Sequence, residues 1–531
     1  MSASYCSLLY LAAFLPAVIL LYLILPQKAR PILLLAASWF FFWSISGTLI
    51  ICLIFSVFVI HGIGLKLDGL KSERDEKLKN PGDRSKKEIK AEYQKYMRRF
   101  LAIAILLNIG LLAFYKYMGF TVCNINSVIK LFGCKAAIDI PSYAAPIGIS
   151  FYTMQAMAYI FDVYREKIKA DRNFFRLALF MSFFPQIVEG PICRYSDTAI
   201  ALWEGKRIRS NDFLMGIQRI SFGVMKKIIV ADRLNIVIGN IYSGYKNYDG
   251  AIVAASAVFY ALQLYMEFSG TMDIVIGSAE IFGITMPENF SQPFFSKTIS
   301  EFWKRWHITL GTWFRDYIFY PAAMSKPLKK LTTNARKKLG NHFGPLASSS
   351  IALFCVWLCN GIWHGAGWQY IFYGMYHFSF ILVGNIIEPF VISAAQKLHI
   401  RRTCKPYVIM QTVRTFIIVC IGEMFFNAHG LRAGFEMLGK ILTDFTPSSL
   451  WNGTLFKLGI DKLDILIICV ALLIVLSVSI TKEKKIPLGK WIISRPLYVR
   501  IPIYYSIILF IAIFGAYGTG YVPVDPMYAN F

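Results

Sequence analysis

Charged residues are scarce in this chain, and acidic residues are the scarcer kind. Asp, Glu, Lys and Arg make up 16% of the 531 residues, with 31 acidic residues against 56 basic ones. Soluble domains carry about 25% charged residues, so the composition argues against a soluble protein. The net charge of +25 does not indicate nucleic-acid binding, because membrane proteins concentrate Lys and Arg in cytoplasmic loops.

Cysteine pairs of the metal-binding or redox kind are also lacking. None of the ten cysteines belongs to a Cys-x-x-Cys motif, and we predict no bound metal. Cys123 and Cys134 share one loop, where they could form a disulfide if that loop faces an oxidising compartment. Their spacing leaves this pairing open.

The chain has instead a series of long apolar runs. Hydrophobic residues make up 56% of it. Several runs reach about 20 residues, the length of an α-helix that spans a bilayer. We therefore predict an all-α, multi-pass membrane protein, a single domain over residues 1–531. The basic loops Lys66–Arg99 and Lys326–Lys338 are predicted to be cytoplasmic, with a helical hairpin between Ile32 and Leu65 that turns at Ser46–Gly47 and both chain ends outside.

Two stretches are too short or too polar to cross a bilayer. Leu177–Val188 is short and runs into prolines, and Ile299–Tyr320 mixes three tryptophans with Lys304, Arg305 and Arg315. Such segments lie in the interface or re-enter the membrane. Irregular backbone at membrane depth occurs only where it is buried in protein or lines a cavity. We expect re-entrant helices at both places.

Two acidic residues, Glu267 and Asp273, lie in the apolar run from Ala251 to Ile284. Carboxylates at membrane depth are costly unless they face the protein interior or pair with cations. They form either a structural cluster that ties helices together or part of a catalytic site.

The stretch from Asn360 to Trp368 places a histidine between two apolar runs. It reads Asn-Gly-Ile-Trp-His-Gly-Ala-Gly-Trp, with His364 in the middle. An ionisable side chain at membrane depth is a candidate for function. Its glycines would let the backbone turn or a substrate approach closely. The alternative is an interfacial turn, with His364 and the tryptophans in the aromatic belt.

Five motifs occur in a fixed order, and together they carry a resemblance. They are PIGISFYTMQ (146–155), SFFPQIVEGPICRY (182–195), MEFSGTMDIVIG (266–277), PENFSQPFFSKTISEFWKRWHITLGTWFRDYIFYP (287–321) and NGIWHGAGW (360–368). The chain resembles the membrane-bound O-acyltransferases, in particular the bacterial alginate O-acetylation proteins and the D-alanyl transferases of teichoic acid. The similarity runs through nearly the whole chain and is densest over residues 146–377.

The resemblance implies a ring of about 11–13 transmembrane helices with re-entrant segments around a central tunnel. It assigns catalytic roles to His364, in the Trp-His-Gly motif, and to His307, in the Arg-Trp-His motif. A neutral imidazole, with an ordinary pKa of about 6.5, is the usual general base for a hydroxyl that attacks a thioester. We expect substrate contacts from five further residues: Trp363, Asn360, Lys304, Arg305 and Arg315.

The resemblance also implies the substrates and partners. The acyl donor is a cytoplasmic thioester, either acetyl-coenzyme A or a phosphopantetheinyl carrier protein, and no cofactor stays bound. We predict O-acetylation of a secreted or cell-surface polysaccharide at a bacterial cell membrane, with an extracellular SGNH-type transferase or esterase as partner. D-alanylation of teichoic acid from a carrier protein is the alternative within the class. A transporter or polysaccharide-export component is the alternative from another class.

The C-terminal tail, residues 519–531, is predicted to be extracellular. Alginate-type relatives end in an aromatic tail of the form Phe-Ile-Tyr-Phe-Gln-Phe, and this chain keeps Tyr528 and Phe531 of that pattern. A phenol is a competent acyl acceptor, so Tyr528 is predicted to relay the acyl group to the partner. An interfacial tyrosine that anchors the last helix is the alternative.

Overall fold

The computed structural model describes residues 4–133, 137–141 and 144–517, and within these ranges the chain is helical and has no strand. These residues form two compact units. The first contains the described residues of Met1–Ile217 together with Val275–Pro287. The second contains Gln218–Ile274 and the described residues of Glu288–Met527.

The described residues form twenty α-helices. The first ten are α1 (Leu15–Ile24), α2 (Arg30–Ser46), α3 (Ile50–Lys79), α4 (Lys86–Leu131), α5 (Ile149–Tyr164), α6 (Phe174–Ser182), α7 (Tyr195–Glu204), α8 (Ser210–Met225), α9 (Asp232–Gly244) and α10 (Gly250–Ile281). The others are α11 (Ile299–Arg305), α12 (Ile308–Phe314), α13 (Tyr320–Ala323), α14 (Lys326–His364), α15 (Trp368–Lys397), α16 (Lys405–Asn427), α17 (Leu431–Thr443), α18 (Lys462–Glu483), α19 (Leu488–Ile493) and α20 (Leu497–Phe514). π-helical turns occur at Leu9–Phe14, Lys226–Ala231 and Arg315–Phe319.

Eight helical segments in the described ranges are long and apolar enough to cross a membrane. They are the stretch that contains α2 and α3, and helices α4, α10, α14, α15, α16, α18 and α20. The prediction of an all-α, multi-pass membrane protein is confirmed. The resemblance implied a larger number of spans, and the difference comes from segments such as α5, which has only 16 residues, and α8–α9, which carries buried charges.

The first unit contains the break predicted at Ser46–Gly47. Helix α2 ends at Ser46, a single 3₁₀ turn follows, and α3 begins at Ile50. Gly47 has φ +57°, a left-handed value that glycine adopts without a Cβ clash. The predicted interruption of the apolar run is therefore confirmed.

The first unit also contains the first segment predicted to be re-entrant. Helix α6 ends at Ser182, and the chain from Phe183 to Cys193 is irregular and buried. Gly148, at the start of α5, has φ +76°, and a Cβ there would lie 2.1 Å from the carbonyl oxygen of Ile187. Irregular backbone packed this closely inside protein is what the sequence predicted for this segment.

The second unit contains the segment 299–323 as a series of short helical pieces. Thr298 caps α11 by accepting a hydrogen bond from the Glu301 backbone N–H. Helix α11 ends at Arg305, and α12 begins at Ile308 after a bend. The stretch is not among the helical segments long and apolar enough to cross a membrane, as predicted, and His307 lies at the bend between α11 and α12.

Candidate active site

His307 lies at the bend between α11 and α12. Its backbone has φ +46°, a left-handed conformation that is rare for a residue with a side chain. Its imidazole is 1% exposed and contacts the ring of Phe268, with 4.8 Å between centroids. Strained backbone of this kind persists only where the surroundings hold it in place, and it often occurs at functional sites.

Asn289 holds this bend through its side chain and its backbone. Its Oδ1 accepts hydrogen bonds from the Thr309 backbone N–H at 3.1 Å and from Thr309 Oγ1 at 2.9 Å, and it lies 3.2 Å from His307 Nδ1. Its carbonyl oxygen accepts the Ile308 N–H at 3.0 Å. The sequence analysis did not single out Asn289, because its partners are 18 to 20 residues further along the chain.

Asn289 also determines the protonation of His307. A backbone N–H can only donate, so the Thr309 contact identifies the facing amide atom of Asn289 as its oxygen. His307 Nδ1 must then carry the proton, which leaves Nε2 as the basic nitrogen. Burial lowers the pKa of His307 to about 3, so the ring is neutral at physiological pH.

His364 is the last residue of α14 and is 3% exposed. Three aromatic rings surround its imidazole: Trp363 at 5.1 Å, Tyr373 at 5.8 Å and Phe426 at 5.3 Å between centroids. Its position is buried, which favours the functional interpretation over a residue of the aromatic belt.

Trp363 connects the two histidines. Its ring lies 5.7 Å from that of His307 and 5.1 Å from that of His364, measured between centroids. The sequence separates the histidines by 57 positions, and the fold brings both into contact with the same indole. Two of the five motifs that carried the resemblance are therefore brought together at this tryptophan.

The glycines of this motif allow close helix packing. A Cβ on Gly361 would lie 2.6 Å from the carbonyl oxygen of Tyr370, and one on Gly365 would lie 2.3 Å from the ring of Tyr370. On the facing helix, a Cβ on Gly374 would lie 2.4 Å from the carbonyl oxygen of Trp357. The first residues of α15 can therefore approach the end of α14, where His364 is located.

Helices α15 and α16 contribute a polar pair that the sequence analysis missed. The Tyr373 hydroxyl donates a 2.8 Å hydrogen bond to Oε1 of Glu423, which is 1% exposed. The Tyr373 ring also lies 4.7 Å from that of His377, a fully buried histidine with two tryptophan neighbours. An acidic residue inside the apolar run of α16 was the available signal for this pair.

Glu267 and Asp273 are paired with lysines of the π turn. Lys226 Nζ lies 2.6 Å from Asp273 Oδ2, and Lys227 Nζ lies 3.2 Å from Glu267 Oε1. Arg219 Nε lies 3.0 Å from Asp273 Oδ1. These contacts favour the interpretation of a structural cluster. Beside it is a partly open cavity of about 30 Å³ whose lining includes Asn289, enough space for about two water molecules.

The predicted substrate-binding cations lie at the rim of this region. Arg305 is held by Glu301 at 2.9 Å and by Glu483 at 2.9 Å, and Lys304 is exposed. Arg315 is exposed and pairs with Asp316 at 3.1 Å. Arg305 therefore joins α11 to the end of α18, while Lys304 and Arg315 face outward from the protein.

Three residues from the sequence analysis remain to be located: Asn360, Tyr528 and Cys134. Asn360 is 5% exposed, and its Oδ1 has no hydrogen-bond partner within the described ranges, one helical turn before His364. Tyr528 lies outside the described residues, as does Cys134, the possible disulfide partner of the exposed Cys123. The relay stays a prediction, and the Cys123–Cys134 pairing stays open.

Comparisons with known proteins show which proteins this chain is similar to. The model of the membrane-bound O-acyltransferase family matches residues 155–335, a range that includes His307 and ends before His364. Probable alginate O-acetylases of Pseudomonas syringae pv. tomato and Azotobacter vinelandii are 30% and 29% identical to this chain. Each match covers 86% of this chain, and 78% and 81% of the respective relative. A teichoic acid D-alanyltransferase of Bacillus subtilis is 30% identical over 53% of this chain and 68% of its own length.

The helical multi-pass fold and these matches define an integral membrane acyltransferase, an enzyme that transfers acyl groups. The chain belongs to the membrane-bound O-acyltransferase family. This membership decides against a transporter or export component.

Proposed function

We propose that this enzyme passes an acetyl group from a cytoplasmic thioester donor across a bacterial cell membrane for O-acetylation of a secreted or cell-surface polysaccharide. The observation that carries the proposal is the pair of buried histidines in contact with one tryptophan. The similarity to probable alginate O-acetylases over 86% of the chain supports the acetyl group and the polymer class.

In this proposal His364 is the general base. Its imidazole takes the proton of the acceptor hydroxyl as the oxygen attacks the thioester carbonyl carbon. A C–O bond forms, the C–S bond breaks, and the proton passes from the imidazole to the leaving thiolate. Trp363 and Asn360 line the path of the reacting groups, and His307 acts at the donor end through its basic Nε2.

The orientation in the membrane is part of the same proposal. The basic loops Lys66–Arg99 and Lys326–Lys338 face the cytoplasm, and both chain ends face outward. Lys304, Arg305 and Arg315 then lie on the donor side, where they would attract the anionic coenzyme A or an acidic carrier protein. An extracellular SGNH-type transferase or esterase receives the acyl group on the other side.

The test is mass spectrometry of surface polymers from cells with and without this protein. The proposal requires O-acetyl groups that disappear from one polysaccharide when the gene is deleted and return on complementation. An unchanged acetyl content in every surface polymer would contradict it.

D-alanyl transfer to teichoic acid is the second candidate, favoured by the similarity to the D-alanyltransferase. The same polymer analysis separates the two, because D-alanine adds a titratable amine and a different mass from acetate. Loss of D-alanine esters with unchanged acetate would replace the first candidate by the second.

The proposal includes the acyl relay through Tyr528. The acyl group would form an ester with the phenol oxygen, releasing the donor thiol, and would then pass to the partner enzyme. Tyr528→Phe keeps the ring and removes only the hydroxyl, so we expect polymer acylation to be lost while the protein stays inserted. A normal acylation rate in this variant would leave the tyrosine as an anchor.

A further inference from the structure

One face of α4 carries three basic residues around a groove. Lys95, Arg98 and Arg99 are exposed and line a groove of about 420 Å³, together with Ala91, Gln94 and Ala102. Positions 91, 95, 98 and 102 repeat at helical spacing, so they lie on one side of α4. Ala91 and Ala102, at the two ends of this face, have small side chains and so leave room for the groove.

The position of the groove along α4 matches the boundary between water and lipid. From Lys86 to Arg99 the helix carries many charges, and after Arg99 the next charged residue is Lys116. Large exposed apolar side chains begin immediately beyond, with Ile103 at 46% exposure and Leu106 at 73%. A helix rises about 1.5 Å per residue, so Arg98 lies roughly 12 Å from Leu106 along the axis. The basic groove thus continues directly into a surface suited to acyl chains.

The three cations of the groove have no acidic partner within the described ranges. Arg99 lies over the ring of Tyr96, with 5.9 Å to the centroid, and keeps its charge directed outward. A neighbouring groove of about 510 Å³ provides the contrast, because there Arg74 is already neutralised by Glu166 at 2.7 Å and Asp75 at 2.8 Å. Positive-inside topology explains the presence of basic residues. It does not explain why three cations surround one groove that contains no acid.

We propose that this groove binds the phosphate headgroup of an anionic membrane lipid, with the acyl chains lying along Ile103 and Leu106. Lys95 and Arg98 contact the phosphate oxygens, and Arg99 closes the side of the groove. Basic clusters at a membrane boundary attract anionic lipids by charge, and a guanidinium also matches the geometry of a phosphate.

The test uses full-length protein in a neutral detergent and native mass spectrometry. Phosphatidylglycerol is titrated, with phosphatidylcholine and inorganic phosphate as separate probes. Each cation near an anionic lipid surface contributes a factor of about five in affinity, so we expect the triple variant Lys95→Gln, Arg98→Gln, Arg99→Gln to bind phosphatidylglycerol roughly 100-fold more weakly. The matched control, Lys330→Gln, Lys337→Gln, Lys338→Gln, removes the same charge from exposed positions of α14 and should bind as wild type.

A second variant tests whether the space in the groove is needed for lipid binding as well as its three positive charges. Ala102→Phe fills the groove and keeps all three cations, so it should also weaken phosphatidylglycerol binding. Equal binding of phosphatidylcholine, an equal loss in the control, or unchanged binding by either groove variant would overturn the proposal. Competition by millimolar inorganic phosphate would identify a free-anion site and would overturn the lipid assignment. The charge-conserving variant Lys95→Arg, Arg98→Lys, Arg99→Lys must restore binding, which excludes misfolding as the cause of a loss.

Discussion

The two histidines of the site are held in different ways. His307 donates one hydrogen bond from Nδ1 to the side-chain oxygen of Asn289, at a left-handed bend between two short helices. His364 ends the part of α14 that follows a non-helical break at Gly340, and three aromatic rings and glycine-mediated packing surround it. A hydrogen bond to one ring nitrogen determines which nitrogen carries the proton, and this is the feature that distinguishes His307. Around His364 the feature that stands out is the close packing of rings and helices.

The largest expected effect on polymer acylation comes from replacing His364, the proposed general base. His364→Ala should leave the protein folded and inserted but lower polymer acylation at least ~100-fold, because the general base is removed. His342→Ala is the matched control, since His342 is an exposed histidine on the same helix. Acyl content measured by mass spectrometry close to wild type in the His364 variant would remove this residue from the mechanism.

A smaller loss of polymer acylation is expected when Asn289, the hydrogen-bond partner of His307, is replaced. Asn289→Ala removes the hydrogen bond that sets the tautomer of His307 and should lower acylation about tenfold, since one hydrogen bond contributes about 1 kcal/mol or slightly more. His307→Ala should weaken donor binding as well. If His307→Ala binds donor normally and is fully active, the residue has only a packing role, and a loss of folded protein has the same meaning.

The pH dependence sharpens the contrast between the two histidines. Asn289→Asp places a carboxylate beside His307 Nδ1, which raises the pKa of that imidazole from its value of about 3. His307 would then become charged at a higher pH, so activity should begin to fall at a higher pH as the solution is acidified. The double variant with His307→Ala should lack this displacement of the acid limb. The measurement is the pH–activity profile. If its acidic side is the same in Asn289→Asp as in wild type, the protonation of His307 does not control activity.

The smallest effect concerns the packing that supports His364. Gly374→Ala places a Cβ 2.4 Å from the carbonyl oxygen of Trp357, and overpacking of this kind lowers the free energy of unfolding by about 1–3 kcal/mol. Gly384→Ala on the same helix meets no atom within 4 Å and serves as the control. Thermal melts should therefore show a lower Tm for the first variant alone. Equal Tm values would mean that the two helices can separate without loss of stability.

The sequence predicted those parts of the fold that depend on local pattern. Apolar runs indicated the membrane helices, and the polar composition of residues 299–320 indicated a segment that does not cross the bilayer. The bend at His307 was not predicted. The resemblance then indicated both histidines. Asn289, Tyr373 and Glu423 were missed because their contacts join residues that are distant in the chain, and helical periodicity carries no information about such partners.

The pairing of Glu267 and Asp273 shows the same limit. Lys226 and Lys227 are consecutive, and in a regular α-helix their side chains would point about 100° apart. Both are nevertheless buried beside acids of α10, at the start of the π-helical chain from Lys226 to Ala231. Nothing in the residue types of this segment indicates the wider turn.

That π turn also makes the effect of a deletion depend on its place. A π turn holds an additional residue compared with an α-helical turn, so deleting one residue between Lys227 and Asp232 would restore ordinary winding and leave the remainder of the helix in nearly the same orientation. Asp232 and Arg233 would then still face their partners Lys227 and Asp464. The same deletion within the regular winding of α9 would rotate the residues that follow it by about 100° about the helix axis.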